Sequence, residues 1–441
     1  MSALSLFSAG SNARGQLATG NLDDAYHFAP CIFSAVAPGD LPPGTVAVED
    51  ISCGANHTLA LLLRNDGKTE LWGCGDGSRG QLGPSYVAVV AEASGEMADA
   101  TAIFRPLDLN LHAFKSREGG SLHEYTVRLI AAGWETSYTV LSCPGRDDVL
   151  LSMGADDFGN LGVGGAPSQT SQGDVRPSIN IVPLRGPIQA EDAGTTLTVL
   201  ALSTGPHHTI ARLLLASADG STETHIVGWG TTRHGQLGPM SNTASRPLPF
   251  TPHPVLVPIC PPGHVTQLAL GNQHTVCRLS SATALALGSN RKEQLSGLDD
   301  LCDVERVGCT WNGTYALLGS GEVVATGSNT HSQLGRGTGG QGREETIGPI
   351  HFPFGLDAGR VVQMACGSEH VLCVVERIQH DEAAPRREVW GWGWNEHGNL
   401  GTGGTEDVDT PVKIWPRYGD EQGWVANVWA GCGTSWVLVQ R

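Results

Sequence analysis

The sequence predicts an all-β protein, a seven-bladed β-propeller closed by strands from both termini. Two observations carry the blades: a glycine-led phrase ending in Gln-Leu or Asn-Leu occurs seven times, and a second phrase, small residues running into an apolar stretch, alternates with it seven times. Units this small cannot bury a core alone, so they must stack or close into a ring. A third observation carries the closure: the chain opens on a strand, SLFSAG, that ends at the first phrase, and it finishes on the second phrase with WVLVQR.

The first phrase reads GSNARGQL at 10–17, GCGDGSRGQLG at 73–83, GADDFGNLG at 154–162 and GWGTTRHGQLG at 228–238; it returns as GSNRKEQLSG at 288–297, GSNTHSQLG at 327–335 and GWGWNEHGNLG at 391–401. The second reads SCGANHTLALL from Ser52, STGPHHTIARL from Ser203 and ALGNQHTVCRL from Ala269, with weaker copies from Ala131, Gly308, Ala365 and Ala430. The segments between them are β-branched or aromatic runs bounded by Gly, Asn, Asp or Pro, the composition of short strands. No long amphipathic helix is expected. The marker leucines Leu17, Leu82, Leu161, Leu237, Leu295, Leu334 and Leu400 are 65, 79, 76, 58, 39 and 66 residues apart, about one four-stranded blade plus loops of uneven length. Each offers an apolar anchor between neighbouring sheets. Residues 84–126, 163–196, 239–265 and 336–360 are longer than a hairpin needs and read as insertions into a single 1–441 propeller. Within them Gly337 to Gly342 is expected to be mobile, and LDLNLHAF to fold back onto the ring.

Composition narrows the function. With 44 acidic and 27 basic residues the formal charge is −17, which argues against direct nucleic-acid binding. Lysine occurs only at Lys68, Lys115, Lys292 and Lys413, so no basic import cluster is present. The N-terminus has no positively charged signal region and no stretch reaches the ~20 apolar residues of a membrane helix. Eleven cysteines occur without a single C-x-x-C; Cys53, Cys366 and Cys432 are read as small buried hydrophobes in a reduced, cytoplasmic and nuclear environment. His57, His208, His274 and His370 share one repeat position and are read as hydrogen-bonding within their own blades rather than as metal ligands. His207 and His208 are neighbours on a strand and face opposite ways. Asp156-Asp157 and Asp299-Asp300 lie in turns, where aspartate bonds local backbone. No nucleophile elbow, phosphate loop or dinucleotide fingerprint occurs, so no catalytic, cofactor or metal residue is assigned.

Function is expected where the repeats disagree. Trp390, Trp392 and Trp394 alternate with glycine and fall on one side of a strand; Trp390 is read as core and Trp394 as either core or an exposed anchor at the mouth of the ring. The turn residues of the first phrase should converge on one rim, which makes Arg14, Arg79, Asp157, Arg233, His234 and Trp394, with Trp134 from the second phrase, the partner-binding candidates.

Both phrases resemble the repeat of the regulator of chromosome condensation family, seven-bladed propellers with Gly-x-Asn-x-x-Gly-Gln-Leu-Gly and Ala-x-Gly-x-x-His-Thr patterns, over nearly the whole chain from Gly10 to Val439. The resemblance implies a non-catalytic protein-binding scaffold. Size and the lack of tails point within that family to the fungal alpha-tubulin suppressor branch, whose partner is a small zinc- and iron-binding protein serving diphthamide synthesis and Elongator-dependent tRNA wobble-uridine modification. The alternative it implies is a guanine nucleotide exchange factor for a Ran-type GTPase, against which the missing basic tail counts. A plant-type ultraviolet photoreceptor would carry repeated Gly-Trp-Arg-His-Thr phrases. Here only Trp134 matches, followed by Glu135 and Thr136, so the cation–π partners of that mechanism are missing.

Overall fold

The computed structural model describes residues 4–92, 101–117, 119–164, 178–188, 194–239, 249–259, 261–337, 347–377, 386–417 and 423–441. Among these residues seven antiparallel sheets follow one another along the chain, six of four strands and one of three. In chain order, blade 1 holds 4–30 with 424–440, blade 2 holds 45–106, blade 3 holds 126–181, blade 4 holds 195–256, blade 5 holds 265–288, blade 6 holds 304–349 and blade 7 holds 359–415. The chain is the seven-bladed β-propeller expected from the alternating phrases.

Two compact units are recognised. One comprises Met1–Ala13, Leu17–Pro42 and Val265–Arg441, the other Arg14–Gln16 and Pro43–His264. The first contains the closure. Strand Leu4–Gly10 pairs with Thr434–Gln440 from Leu4↔Gln440 to Gly10↔Thr434 without a register shift, so both ends of the chain share blade 1. In both units the core lies between successive sheets. In the second unit Leu59, Leu71 and Leu82 of blade 2 pack with Ile130, Leu141 and Met153 of blade 3. In the first, Tyr315, Val323 and Leu334 of blade 6 pack with Val371, Cys373 and Trp392 of blade 7. Each such side chain contributes roughly 1.5–3 kcal/mol by leaving water. Five of the seven marker leucines are buried; Leu161 and Leu295 are half-buried.

One reading changes. The long insertions are not additions to complete blades, for each contains its blade's outer strand: Arg105–Pro106, Ile179–Ile181, Phe250–Leu256 and Gly348–Pro349. Of the segment expected to be mobile, Gly337 donates its N–H to the Asp409 carbonyl at 2.9 Å, and 338–342 lie outside the described residues. A helix, Gly83–Glu92, follows the second turn phrase, held by Tyr86, whose hydroxyl donates to the Gly75 carbonyl at 2.9 Å. LDLNLHAF does fold back, burying Leu107 and Leu109 in the core between blades 2 and 3.

The repeated histidines also differ from expectation. Three of the four bond the next blade rather than their own: His57 Nε2 meets Ser137 Oγ at 2.9 Å, His274 Nε2 meets Thr314 Oγ1 at 3.1 Å and His370 Nε2 meets Ser435 Oγ at 3.1 Å. Burial holds each imidazole neutral, lowering its pKa to about 4. Cys53, Cys366 and Cys432 are half-buried rather than buried, and none of the ten described cysteines is in a disulfide.

Candidate functional site

The first phrase builds a recurrent turn. Five residues before the marker leucine, an Asn or Asp side chain accepts the leucine N–H: Asn12, Asp156, Asn290, Asn329 and Asn395 do so at 2.8–3.0 Å. One residue before the leucine, a Gln side chain accepts the N–H of the residue two positions earlier, which binds Arg14, Arg79, His234, Lys292 and His331 at 2.7–3.0 Å. The backbone of the turn is thereby satisfied by its own side chains. The residue three before the leucine is held by its amide and its side chain is left to vary.

The carbonyl just before the leucine serves the next blade. Asn160 accepts from the Trp229 indole and Gln333 from the Trp392 indole, each at 2.9 Å, and both rings are fully buried. This assigns the central tryptophan of the triplet to scaffold. Trp390 is half-buried, edge-on to Phe354 at 5.0 Å, because Phe352 and Phe354 cover it only in part.

In the second unit the turn of blade 2 reaches blade 3. Arg79 lies 3.5 Å from Glu135 and 3.4 Å from Asp157. Beside it Phe158 is 39% exposed and packs on the His207 ring at 4.7 Å, which in turn stands 6.0 Å from Trp134. Burial lowers the pKa of His207, opposed by the nearby Asp157 carboxylate. The structure thus brings Arg79, Asp157 and Trp134 together, and adds Phe158, Glu135 and His207. Arg233 is exposed and His234 half-buried in the blade 4 turn; Arg14 is exposed in the first turn.

In the first unit Trp394 is half-buried between two histidine rings, His331 at 6.4 Å and His397 at 5.4 Å, both edge-on. Each histidine is tethered to a carboxylate, His331 to Asp407 at 3.1 Å and His397 to Asp24 at 2.8 Å. Behind them Glu369 is buried and accepts from Asn312 at 2.6 Å and Gln333 at 2.9 Å; burial raises its pKa. Trp394 is therefore neither core nor a free anchor. Its exposed edge belongs to an aromatic and imidazole cluster.

Phe158, Lys292, His331 and His397 were not among the sequence candidates, although they share the position three before the leucine with Arg14, Arg79 and His234. Aligning the seven turns on that leucine would have found them. A separate cavity of about 250 Å³ in the second unit has an apolar lining that includes Val149, Pro183 and Leu197. Its carboxylates are already satisfied: Asp147 by Arg185 at 2.7 Å and Asp148 by Arg128 at 2.6 Å. Among the described residues no three His, Cys, Asp or Glu are placed to hold a metal ion, and no helix is long and apolar enough to cross a membrane.

Residues 5–61, 226–278, 320–374 and 388–438 match the regulator of chromosome condensation (RCC1) repeat, and residues 48–81 match a second description of it. The RCC1 repeat-containing protein C10F6.04 of Schizosaccharomyces pombe is 25% identical, with 99% of each chain covered. The secretion-regulating guanine nucleotide exchange factor of Bos taurus is 24% identical over 93% of this chain and 79% of its own length. The crystal structure of Prp20p from Saccharomyces cerevisiae has the same fold, with a TM-score of 0.67 at 16% identity over 100% of this chain and 92% of that one. Turn chemistry, blade order and repeat matches that together span more than half of the sequence agree: this chain belongs to the regulator of chromosome condensation (RCC1) repeat family.

Proposed function

We infer that this propeller is a non-catalytic scaffold that binds a partner protein through its turn phrases, with the cluster of Arg79, Glu135, Asp157, Phe158, His207 and Trp134 as the anchor. One observation carries the reading: an exposed phenylalanine backed by two further rings and flanked by a charged triad has the composition of a protein-binding hot spot. The turns beneath it are pre-formed by their own hydrogen bonds, so docking needs little reordering. The partner we favour is a small zinc- and iron-binding protein serving diphthamide synthesis and Elongator-dependent tRNA modification, met in cytoplasm and nucleus. Full-length similarity to a fungal stand-alone repeat protein supports this.

A second reading, exchange on a Ran-type GTPase, is favoured by the similarity to a guanine nucleotide exchange factor. Affinity purification from the native organism separates the two. The Phe158→Ala/Arg79→Ala double variant should lose the partner while its thermal midpoint stays within about 2 °C of wild type, because an exposed ion pair contributes about 0–1 kcal/mol. Recovery of a zinc-binding protein with Elongator or diphthamide enzymes supports the first reading. Recovery of a Ran-type GTPase whose nucleotide release is accelerated supports the second, and undiminished capture by the double variant rules out this face.

A further inference from the structure

Among the described residues blade 5 has no outer strand. Among the described residues its sheet is Val265–Leu270, His274–Leu279 and Ala284–Gly288, whereas the six other sheets each have a fourth strand. The cause is visible in the chain. Only residues 298–303 separate the blade 5 turn phrase from the first strand of blade 6, and they form a single 3-10 turn, Leu298–Asp300, that lies against Ala284–Gly288. This is the gap that makes Leu295 and Leu334 the closest pair of markers, 39 residues apart.

The missing strand leaves an edge. Leu279 N–H donates to the Thr283 carbonyl at 2.9 Å, and the register runs Arg278↔Ala284, Cys277↔Leu285, Val276↔Ala286. Alternation along an antiparallel ladder then turns the N–H and C=O of Ala284 and Ala286 away from the middle strand. In blade 6 the carbonyl in the same register, that of Val323, accepts the N–H of Ile350, the residue just after the outer strand, at 2.9 Å. Ala284 has no such partner among the described residues. Burial agrees: Val323–Gly327 is buried at its first four residues, Ala284–Gly288 only at its first.

This edge also carries no proline. Five of the six outer strands contain proline: Ala25–Pro30, Arg105–Pro106, Phe250–Leu256, Gly348–Pro349 and Val408–Trp415. Proline on an edge strand removes a donor and blocks pairing with another chain. The blade 5 edge reads ALALG, with no proline and no charge. Leu298 is buried beside Ala284 and Val276 and fills apolar space there, but its turn offers no strand hydrogen bonds to the edge. Asp299 and Asp300 of the same turn are exposed and in no ion pair among the described residues.

We propose that blade 5 is completed in trans: an extended segment of a partner protein adds as the fourth strand, antiparallel to Ala284–Gly288. Its backbone bonds to Ala284 and Ala286, and a Lys or Arg on it meets Asp299 and Asp300. Backbone pairing supplies affinity and the acidic turn supplies the charge preference. This site is distinct from the turn phrases and does not depend on them.

The probe is a phage-displayed random octapeptide library selected on the whole chain. The expected result is a set of β-prone peptides with a basic residue that bind Ala286→Pro at least ten-fold more weakly than wild type. Proline there removes only an outward N–H, so the ladder of Leu285 and Leu287 to the strand His274–Leu279 is kept. In a second measurement that leaves the protein untouched, N-methylating the peptide amides that face the edge should abolish binding, and Asp299→Lys/Asp300→Lys should weaken it several-fold. Hydrogen exchange at Ala284 and Ala286 should slow when a selected peptide is added. The proposal is overturned by a library that yields no binder, by peptides indifferent to N-methylation, or by wild-type self-association abolished by Ala286→Pro, which would make a second copy the occupant.

Discussion

Gly335 shows how one residue carries a blade interface. Its φ is +62°, and a Cβ there would stand 2.9 Å from the Trp392 Nε1 and 2.9 Å from Ile350. The last glycine of the turn phrase is thus required twice, by backbone conformation and by the indole that seats on it. Gly335→Ala should cost about 1–3 kcal/mol, read as a lower urea midpoint at unchanged slope. The leucine of each phrase was legible as an apolar anchor because it recurs at one place in every turn. The role of Trp392 was not, since its hydrogen-bond partner, Gln333, lies in the preceding blade, 59 residues away.

At the scale of elements, the histidines of the second phrase act as clamps from blade to blade. Their pKa falls from the ordinary 6.5 to about 4 in the folded protein. Between these values the unfolded chain binds more protons, so stability is full above pH 6.5, declines as pH falls towards 4 and levels off below it. Urea midpoints across this window should show the decline, and His274→Gln should flatten part of it; a wild-type midpoint constant from pH 7 to 4 would exclude the clamps as titrating elements. The strands themselves were legible in sequence through their β-branched runs and the spacing of the phrases. The outer strands were not: Arg105–Pro106 and Gly348–Pro349 are two residues long and sit inside loops of glycine and proline, so composition there reports loop.

For the whole molecule the decisive contact is between the ends of the chain. Thr434–Gln440 lies between Leu4–Gly10 and Trp424–Ala430 and buries Trp436, Val437 and Val439. Removing Thr434 to Arg441 takes one of the two inner strands from blade 1, and the expected result is loss of a single cooperative urea transition and of near-ultraviolet dichroism; retention of the wild-type transition would show that the ring does not need this closure. The sequence by itself determined the blade number and the closure, because each is a periodic or local property that repeats and so announces itself. Only the tertiary structure decided which variable side chains meet. Phe158, His207 and Trp134 come together across two blades, and the bare edge of blade 5 exists because six residues cannot both make a strand and return. Both depend on what lies beside a residue in space, which no repeat in the chain encodes.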